Sequence, residues 1–195
     1  MQAIADDALD RIFRNARTAN SYHPHDITAD DLRAIWDLAK WGPTSANSMP
    51  ARIVWCLSQQ ARDKLADCAS ATNAVKIRGA PAAAVVGMDM LFYEHLPRLY
   101  PEADARSWFA GHEKAIGDTA FRNSSLQGAY LMVAARALGF DVGPMSGFDN
   151  AAVDRAFFEG TTVRSNFIMT LGRADPEGFR PRGPRLDFDE ATRIE

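Results

Sequence analysis

The chain has 195 residues, 47% of them hydrophobic and 24% charged, which is typical of a folded globular protein. Its formal net charge of −3 at pH 7 provides no overall positive field for nucleic acid or for an anionic membrane. No segment approaches the roughly 18 consecutive apolar residues of a membrane span, and the acidic N-terminus differs from an export signal. Cys56 and Cys68 match no metal or disulfide pattern, which fits a protein of the reducing cytoplasm. From the length of the chain we expect a single domain over residues 1–195.

The first half of the chain alternates predicted helices and strands. Thr28 and Asp31 form the pattern of a helix N-terminal cap, and two prolines frame an ordered polar loop. In chain order, the predicted elements are a helix from Ile4 to about Arg17, a helix over 29–40, the loop over 42–50, a strand over 52–57, a helix over 59–69 and a strand over 82–88.

The middle of the chain combines an irregular segment with a long helix. Residues 89–110 mix aromatic residues, prolines and charges, and they predict a lid-like insertion of short helices. A helix over 112–138 follows; it is apolar almost all round after Leu126, so we expect it to be buried, and it ends at Gly139. This helix would be about 40 Å long, about the width of a globule of this size, so we expect a partner chain to cover part of it.

The last third of the chain begins with a Gly/Pro-rich loop over 143–147. Asp149 can cap a short helix, and Ser165–Leu171 predicts a strand. Residues 173–195 alternate Arg, Pro and Gly with few apolar residues, so they predict a C-terminal arm that lies over another surface or stays loose.

Several kinds of catalytic site are absent from the sequence. There is no G-x-x-x-x-G-K-[ST] loop and no G-x-G-x-x-G after a strand, the four histidines are scattered, and Ser146 is one place too late for a G-x-S-x-G elbow. What remains is a set of separated polar loops and a few arginines. This pattern favours a bound cofactor that supplies the chemistry, and arginines suit a phosphate group.

The polar loops resemble motifs of the FMN-dependent nitroreductase family, in their order and spacing, from about Leu9 to Glu190. The matching segments are Arg17-Thr18, the loop from Pro43 to Pro50, Asn73, Ala137 to Phe140, Pro144 to Phe148, and Arg185 to Asp189. Within that family the sequence is most similar to the malonic semialdehyde reductases of the Rut pyrimidine-utilisation pathway. Three stretches carry this narrower resemblance: residues 40–47, residues 104–109, and residues 121–125 together with residues 143–149.

The resemblance implies an α+β fold with a central sheet flanked by helices, a long buried helix, and an intertwined homodimer whose arms reach over the partner. It implies FMN at the subunit interface and NAD(P)H as hydride donor, with ping-pong transfer through flavin N5 and no metal. The malonic semialdehyde reductases would form 3-hydroxypropanoate. A broad NAD(P)H nitro/quinone reductase stays open as the alternative, as does a flavin-binding protein without turnover. A nucleic-acid-binding module that uses the arginine-rich arm is disfavoured by the net charge.

The same resemblance assigns the candidate site residues. No side chain is expected to be catalytic, and the backbone N–H groups of Ser146 and Gly147 would face the flavin N5/O4 edge. The cofactor-binding candidates are Arg17, Thr18, Pro43, Thr44, Ser45, Asn47, Asn73, Asn123, Ser124, Pro144, Met145, Ser146, Gly147, Arg182 and Arg185. The substrate-binding candidates are Arg106, Trp108 and Phe109.

Some of these residues also have simpler interpretations. Arg17 could act only on the dipole at a helix end, and Arg106 could form a surface ion pair. Three positions also depart from the family pattern, because Ala16 and Asn20 stand where basic residues are common and Met49 stands where a glutamine is common. The sequence therefore leaves open whether enough positive charge is present to hold the FMN phosphate.

Overall fold

The computed structural model describes residues 2–195, which form eight α-helices, several short 3₁₀ turns and one four-stranded sheet. The helices are α1 (Asp6–Leu9, continued by a π-helical turn over Asp10–Arg14), α2 (Ala29–Ala39), α3 (Gln59–Ala66), α4 (Ala71–Gly79), α5 (Leu96–Leu99), α6 (Glu113–Ala137), α7 (Asn150–Phe157) and α8 (Phe188–Ala191). The strands are β1 (Ala51–Cys56), β2 (Ala82–Asp89), β3 (Asp141–Met145) and β4 (Val163–Gly172).

The sheet is antiparallel throughout, in the order β1-β2-β4-β3. Side chains of the central strand β2 alternate between two apolar cores. Ala82, Ala84 and Val86 pack with α2 and α6, whereas Ala83 and Val85 pack with α3, α4 and α7. The small residues of β2 therefore let helices cover both faces of the sheet, which confirms the predicted α+β fold with a central sheet flanked by helices.

The long helix α6 is buried on one side and exposed on the other. Gly128 allows the closest approach to the sheet, since a Cβ there would come within 2.4 Å of the Phe167 ring. The other side exposes Phe121, Leu126 and Tyr130, each by at least 43%. Within a single chain the sheet and α2 cover only one face of this helix, which is why we expect a partner chain to cover the rest.

Residues 90–110 have a small apolar core of their own. Phe92, Leu96 and Phe109 are buried there, and Ala46 of the 42–50 loop packs against the same cluster. Asp89 ties the start of this segment to the sheet: its carboxylate accepts hydrogen bonds from Arg52 Nη2 at 2.7 Å and from the Leu91 amide at 2.9 Å. This insertion is thus packed on the sheet edge and on the N-terminal part of α6.

Two elements differ from the sequence-based expectations. The helix α4 was not predicted, because its mixed polar and apolar residues have weak helical periodicity. Residues 143–145, predicted as part of a loop, belong to β3. Pro144 is tolerated there because β3 is an edge strand of the sheet.

Other expectations needed smaller changes or were confirmed. The first helix begins at Asp6 and ends by Arg14, and the 59–69 helix ends at Ala66. The predicted caps at Thr28 and Asp149 are both present. Among residues 2–195, no helix has both the length and the apolar character needed to cross a membrane.

Candidate functional site

A cleft of about 470 Å³ lies between the N-terminal segment, α4, the end of α6 and the C-terminal arm. Six of its lining residues are cationic, and none is acidic. They are Arg17, Lys76, Arg136, Arg180, Arg182 and Arg185. The remaining lining residues are small, polar or apolar, and they include Phe13, Thr18 and Asn20.

None of the six cations forms an ion pair within residues 2–195, whereas nine other arginines and lysines do. Burial lowers the pKa of the Arg136 guanidinium from its ordinary value. A guanidinium nevertheless stays protonated in proteins, so this site keeps all its charges. A concentration of positive charge with no carboxylate in its lining favours a bound anion.

Hydrogen bonds hold the arm against the N-terminal segment. Arg182 Nη2 donates to the carbonyls of Arg14 at 2.7 Å and Ala16 at 3.1 Å, at the end of the π-helical turn. Asn20 Nδ2 donates to the Gly178 carbonyl at 3.2 Å. The predicted arm is therefore anchored over residues 178–182. Part of the donor capacity of Arg182 is used to hold it there.

Arg17 lies between the N-terminal segment and the arm. Its guanidinium donates to the carbonyl of Arg180 and lies over the Phe179 ring, 5.6 Å from the ring centroid. Thr18 lines the same cleft. The N-terminal segment is kept in place by Ala19, whose amide donates to the Val142 carbonyl at 3.0 Å. The Arg17 guanidinium therefore lines the cleft and contacts the arm. An arginine that only stabilised the dipole at a helix end would not need these contacts.

Three of the cleft cations were missed by sequence reasoning: Lys76, Arg136 and Arg180. The spacing of the sequence could have indicated Lys76. It lies three residues after Asn73, and residues at that spacing share one face of a helix. No local signal marks Arg136, near the end of α6. Ala16 and Asn20 stand where basic residues are common, so the sequence left open whether the site has enough positive charge for a phosphate. Lys76, Arg136 and Arg180 bring three further positive charges to the cleft.

A second cavity, of about 300 Å³, is mostly apolar. It is lined by Met132, Pro144, Met145, Ser146 and Phe167, and is called here the apolar shelf. Met132 and Arg136 are four residues apart, so they lie one above the other on the same face of α6, with a rise of about 6 Å. The cationic cleft and the apolar shelf are therefore each lined by a residue of α6, and these two residues are about one turn apart.

The loop after β3 presents free hydrogen-bond donors beside this shelf. The Gly147 carbonyl accepts bonds from the Ser70 amide at 3.0 Å and from Asn73 Nδ2 at 3.1 Å. Within residues 2–195 the amides of Ser146 and Gly147 have no acceptor, and both residues are exposed. The Asn73 contact fixes this loop relative to α4, so the two amides are held in position for a ligand.

The 42–50 loop is built around left-handed backbone conformations. Ala46 and Asn47 both have φ of 49°. The Ser45 amide donates to Asn123 Oδ1 at 2.8 Å, and Asn47 Nδ2 donates to the Leu99 carbonyl at 2.9 Å. Asn123 and Ser124 are buried, and their side chains bond within the chain. Asn123 therefore positions the loop. The polar side chains of this second region are then those of Thr44 and Ser45, next to the ring of Pro43.

The second region does not meet the cationic cleft within one chain. Asn123 and Arg136 are thirteen residues apart on α6, which corresponds to a rise of about 20 Å. The predicted cofactor residues therefore divide into two groups. Arg17, Thr18, Asn73, Pro144, Met145, Ser146, Gly147, Arg182 and Arg185 form one group, while Pro43, Thr44, Ser45, Asn47, Asn123 and Ser124 form the other.

The three predicted substrate residues lie in the insertion. Arg106 makes two hydrogen bonds of 2.7 Å to the Glu94 carboxylate, which raises the pKa of the guanidinium and lowers that of Glu94. Phe109 is buried, with its ring 5.0 Å from that of Phe92, so it belongs to the core of the insertion and not to a pocket wall. Trp108 is half exposed and lies 6.0 Å from Tyr100.

No group of three or more metal-ligating side chains occurs among residues 2–195. The described part of the chain therefore brings together a cationic cleft, an apolar shelf and two free backbone amides, without a cluster suited to a metal ion.

Comparisons with known proteins agree with this arrangement. A Burkholderia lata protein that is 56% identical over the full length of both chains carries the provisional name NADH dehydrogenase/NAD(P)H nitroreductase. A solved nitroreductase-like structure from Bacillus subtilis superposes with a TM-score of 0.89 at 25% identity, and it covers 98% of this chain and 100% of the other. An Exiguobacterium sibiricum structure in complex with FMN has a TM-score of 0.86 at 21% identity, with full coverage of both chains.

The family profile described as "Nitroreductase family" matches residues 13–173, which include α2 to α7 and the whole sheet. Together with the relative of 56% identity, this match is decisive. The chain belongs to the nitroreductase family.

Proposed function

We propose that the protein is an FMN-dependent NAD(P)H oxidoreductase. The observation that carries the proposal is the cleft of six cations, none of which forms an ion pair within residues 2–195, together with the apolar shelf about one turn away on α6 and its two free amides. A flavin mononucleotide combines an anionic phosphate with a flat, largely apolar ring, and therefore matches both parts of the site. The names of the relatives and the FMN complex of the Exiguobacterium sibiricum protein support the same activity.

The residues of the first group fit such a ligand from end to end. Arg17 and Arg185 would bind the phosphate, helped by Thr18 and Arg182, since guanidinium groups bind phosphate through paired charge-assisted hydrogen bonds. Asn73 Oδ1 accepts no hydrogen bond within residues 2–195 and would accept one from the pyrimidine edge of the ring. Met132, Met145 and Phe167 would cover the ring.

The protein's own contribution to the reaction is electrostatic. When bound at this site, FMN would supply hydride transfer between NAD(P)H and a second substrate. Lys76 and the amides of Ser146 and Gly147 would stabilise the negative charge that the ring gains on reduction, because fixed donors in a partly desolvated site need no reorganisation. The apolar side chains of the shelf would lie against one part of the ring and shield it from water.

The site is proposed to be completed by a second copy of the chain. The exposed apolar side of α6 and the separation of the two groups of cofactor residues both support a homodimer. In it, the 42–50 loop of one subunit would reach the flavin held by the other. This arrangement also covers Phe121, Leu126 and Tyr130, which a single chain leaves exposed.

Nitroarenes and quinones are the electron acceptors that the site supports best. The open, mostly apolar shelf has few polar groups to select one small substrate, and the names of the relatives include nitroreductase activity. A narrower proposal is the reduction of malonic semialdehyde to 3-hydroxypropanoate, supported by the resemblance of residues 104–109. Its carboxylate would have to compete with Glu94 for Arg106.

The first experiment is an absorbance spectrum of the protein after incubation with FMN and desalting. We expect a retained flavin band near about 450 nm that bleaches when NADPH or NADH is added without oxygen. A retained band that neither donor bleaches would assign the protein to flavin binding without turnover. Turnover of a nitroarene and of malonic semialdehyde by the same preparation then distinguishes the two acceptor proposals.

A further inference from the structure

Arg180 differs from the other four arginines of the cleft. Arg17, Arg136, Arg182 and Arg185 each donate at least one hydrogen bond to a backbone carbonyl, whereas the Arg180 guanidinium donates none within residues 2–195. In the same part of the chain it has no carboxylate partner either. Its charge is therefore available to a ligand in full.

The backbone around Arg180 is nevertheless fixed. The Arg180 carbonyl accepts a hydrogen bond from Arg17, the preceding ring of Phe179 lies under the Arg17 guanidinium, and Arg182 is bonded to the N-terminal segment. An anchored backbone that carries an unengaged guanidinium at the rim of a cleft is preorganised for an anion, because less conformational entropy is lost on binding.

The charge of the cleft exceeds what one FMN phosphate needs. A phosphomonoester carries about two negative charges at pH 7, which Arg17 and Arg185 would balance, while Lys76 would face the flavin ring. Arg136, Arg180 and Arg182 then remain as surplus charge, and of these three only Arg180 donates no hydrogen bond to a backbone carbonyl within residues 2–195. Like charges held together without counter-ions repel one another, so a second anionic group at this rim would be stabilised.

The geometry points to Arg180 as the residue that binds the 2′-phosphate of NADPH, which makes the enzyme selective for NADPH over NADH. This inference rests on the proposed function, in which a nicotinamide dinucleotide supplies the hydride. The 2′-phosphate is the only group that distinguishes the two donors, and arginine suits it through bidentate hydrogen bonds. An exposed arm also fits a donor that must leave before the second substrate enters.

The kinetic test compares Arg180→Gln with Arg155→Gln, which removes the same charge from an exposed arginine of α7 outside the cleft. Loss of a charged hydrogen bond predicts a KM for NADPH that is about tenfold higher or more in Arg180→Gln. The KM for NADH and the retention of FMN should stay within about twofold of wild type. An equal rise for both donors, no rise for NADPH, or loss of FMN would overturn the inference.

A binding measurement separates this inference from the proposed function. Isothermal titration of the FMN-loaded protein with 2′,5′-ADP and with 5′-AMP is independent of turnover. We expect 2′,5′-ADP to bind more tightly than 5′-AMP to wild type and to Arg155→Gln, and the difference to disappear in Arg180→Gln. If neither donor bleaches the flavin, the proposed function fails while this titration still decides the role of Arg180. Equal binding of both nucleotides to wild type would refute it.

Discussion

Asn123, near the middle of the buried side of α6, accepts a hydrogen bond from the backbone amide of Ser45 at 2.8 Å. Its own amide donates to the Thr119 carbonyl at 2.8 Å, so the side chain has a fixed orientation. A single buried asparagine thus joins the 42–50 loop to the long helix. The position of that loop depends on a contact between residues 78 positions apart in sequence.

The first prediction concerns this contact. Asn123→Ala removes the acceptor of the Ser45 amide and leaves a cavity, so we expect the free energy of unfolding to fall by about 1–3 kcal/mol. Urea unfolding followed by circular dichroism measures the change. The control is Gln60→Ala, which removes an exposed amide from α3 and should change stability by less than about 0.5 kcal/mol. Equal stability of the two variants would contradict the positioning role.

Because Ala46 has a left-handed backbone conformation, we expect its replacement by glycine to stabilise the fold. A non-glycine residue with φ of 49° is strained by its Cβ, so Ala46→Gly should raise the free energy of unfolding by up to about 1 kcal/mol. Ala34→Gly, in the exposed middle of α2, should instead lower it by about 1 kcal/mol. Thermal unfolding of both variants tests the two signs. Destabilisation by Ala46→Gly would show that the Ala46 methyl group contributes more packing than strain.

The role of Arg185 can be measured through flavin affinity. If Arg185 binds the phosphate, Arg185→Gln should weaken FMN binding by about ten- to a hundredfold, the range expected for one charged hydrogen bond. The affinity is followed by quenching of flavin fluorescence. Arg193→Gln is the matched control, because Arg193 lies on the same arm and pairs with Glu195 outside the cleft. Equal affinity of the two variants would remove Arg185 from the site.

The exposed side of α6 predicts the oligomeric state. Leu126→Glu places a charge in the proposed interface, so we expect a monomer with strongly reduced FMN retention. Light scattering after size-exclusion chromatography reports the mass. Ile4→Glu introduces the same charge at an exposed apolar residue near the N-terminus and should leave a dimer. A wild-type protein that is monomeric and still retains FMN would refute the shared site.

The buried thiol of Cys56 predicts a dependence of stability on pH. Burial raises its pKa to about 11, so the folded state keeps a proton that the unfolded state loses near its ordinary pKa of about 8.5. The contribution of this thiol to the free energy of unfolding is therefore complete below about pH 8.5 and is lost as the pH rises toward 11. Unfolding at pH 8, 9 and 10 should therefore show a steeper loss for wild type than for Cys56→Val.

Thiol reactivity provides an independent check of the same residue. In Cys68→Ala, whose remaining cysteine has no exposed surface, we expect no reaction with a disulfide reagent at pH 8 until the protein is unfolded. Rapid reaction of the folded variant would show that the interior around Cys56 opens readily.

Local features of this protein follow from its sequence because they depend on neighbouring residues. The caps at Thr28 and Asp149, the interior position of Cys56 and most of the helices and strands come from patterns within a few residues. The exceptions are informative. The helix α4 lacks a clear apolar stripe, and Pro144 and Gly143 conceal β3, whose existence depends on pairing with β4. Family motifs identified the nitroreductase fold, yet they did not reveal Lys76, Arg136 or Arg180.

The distribution of charge was decided only by the tertiary structure. Arg182 bonds to the carbonyl of Arg14, 168 residues earlier in the chain, and Arg136 reaches the same cleft from the end of α6. Spacing along a sequence encodes which residues share a helix face, but it does not encode which distant segments meet. Sheet order and helix packing bring these cations together, and they keep the 42–50 loop about 20 Å away along α6. The sequence by itself therefore determined the local elements and the family, while the packing of the sheet and α6 determined what the site contains.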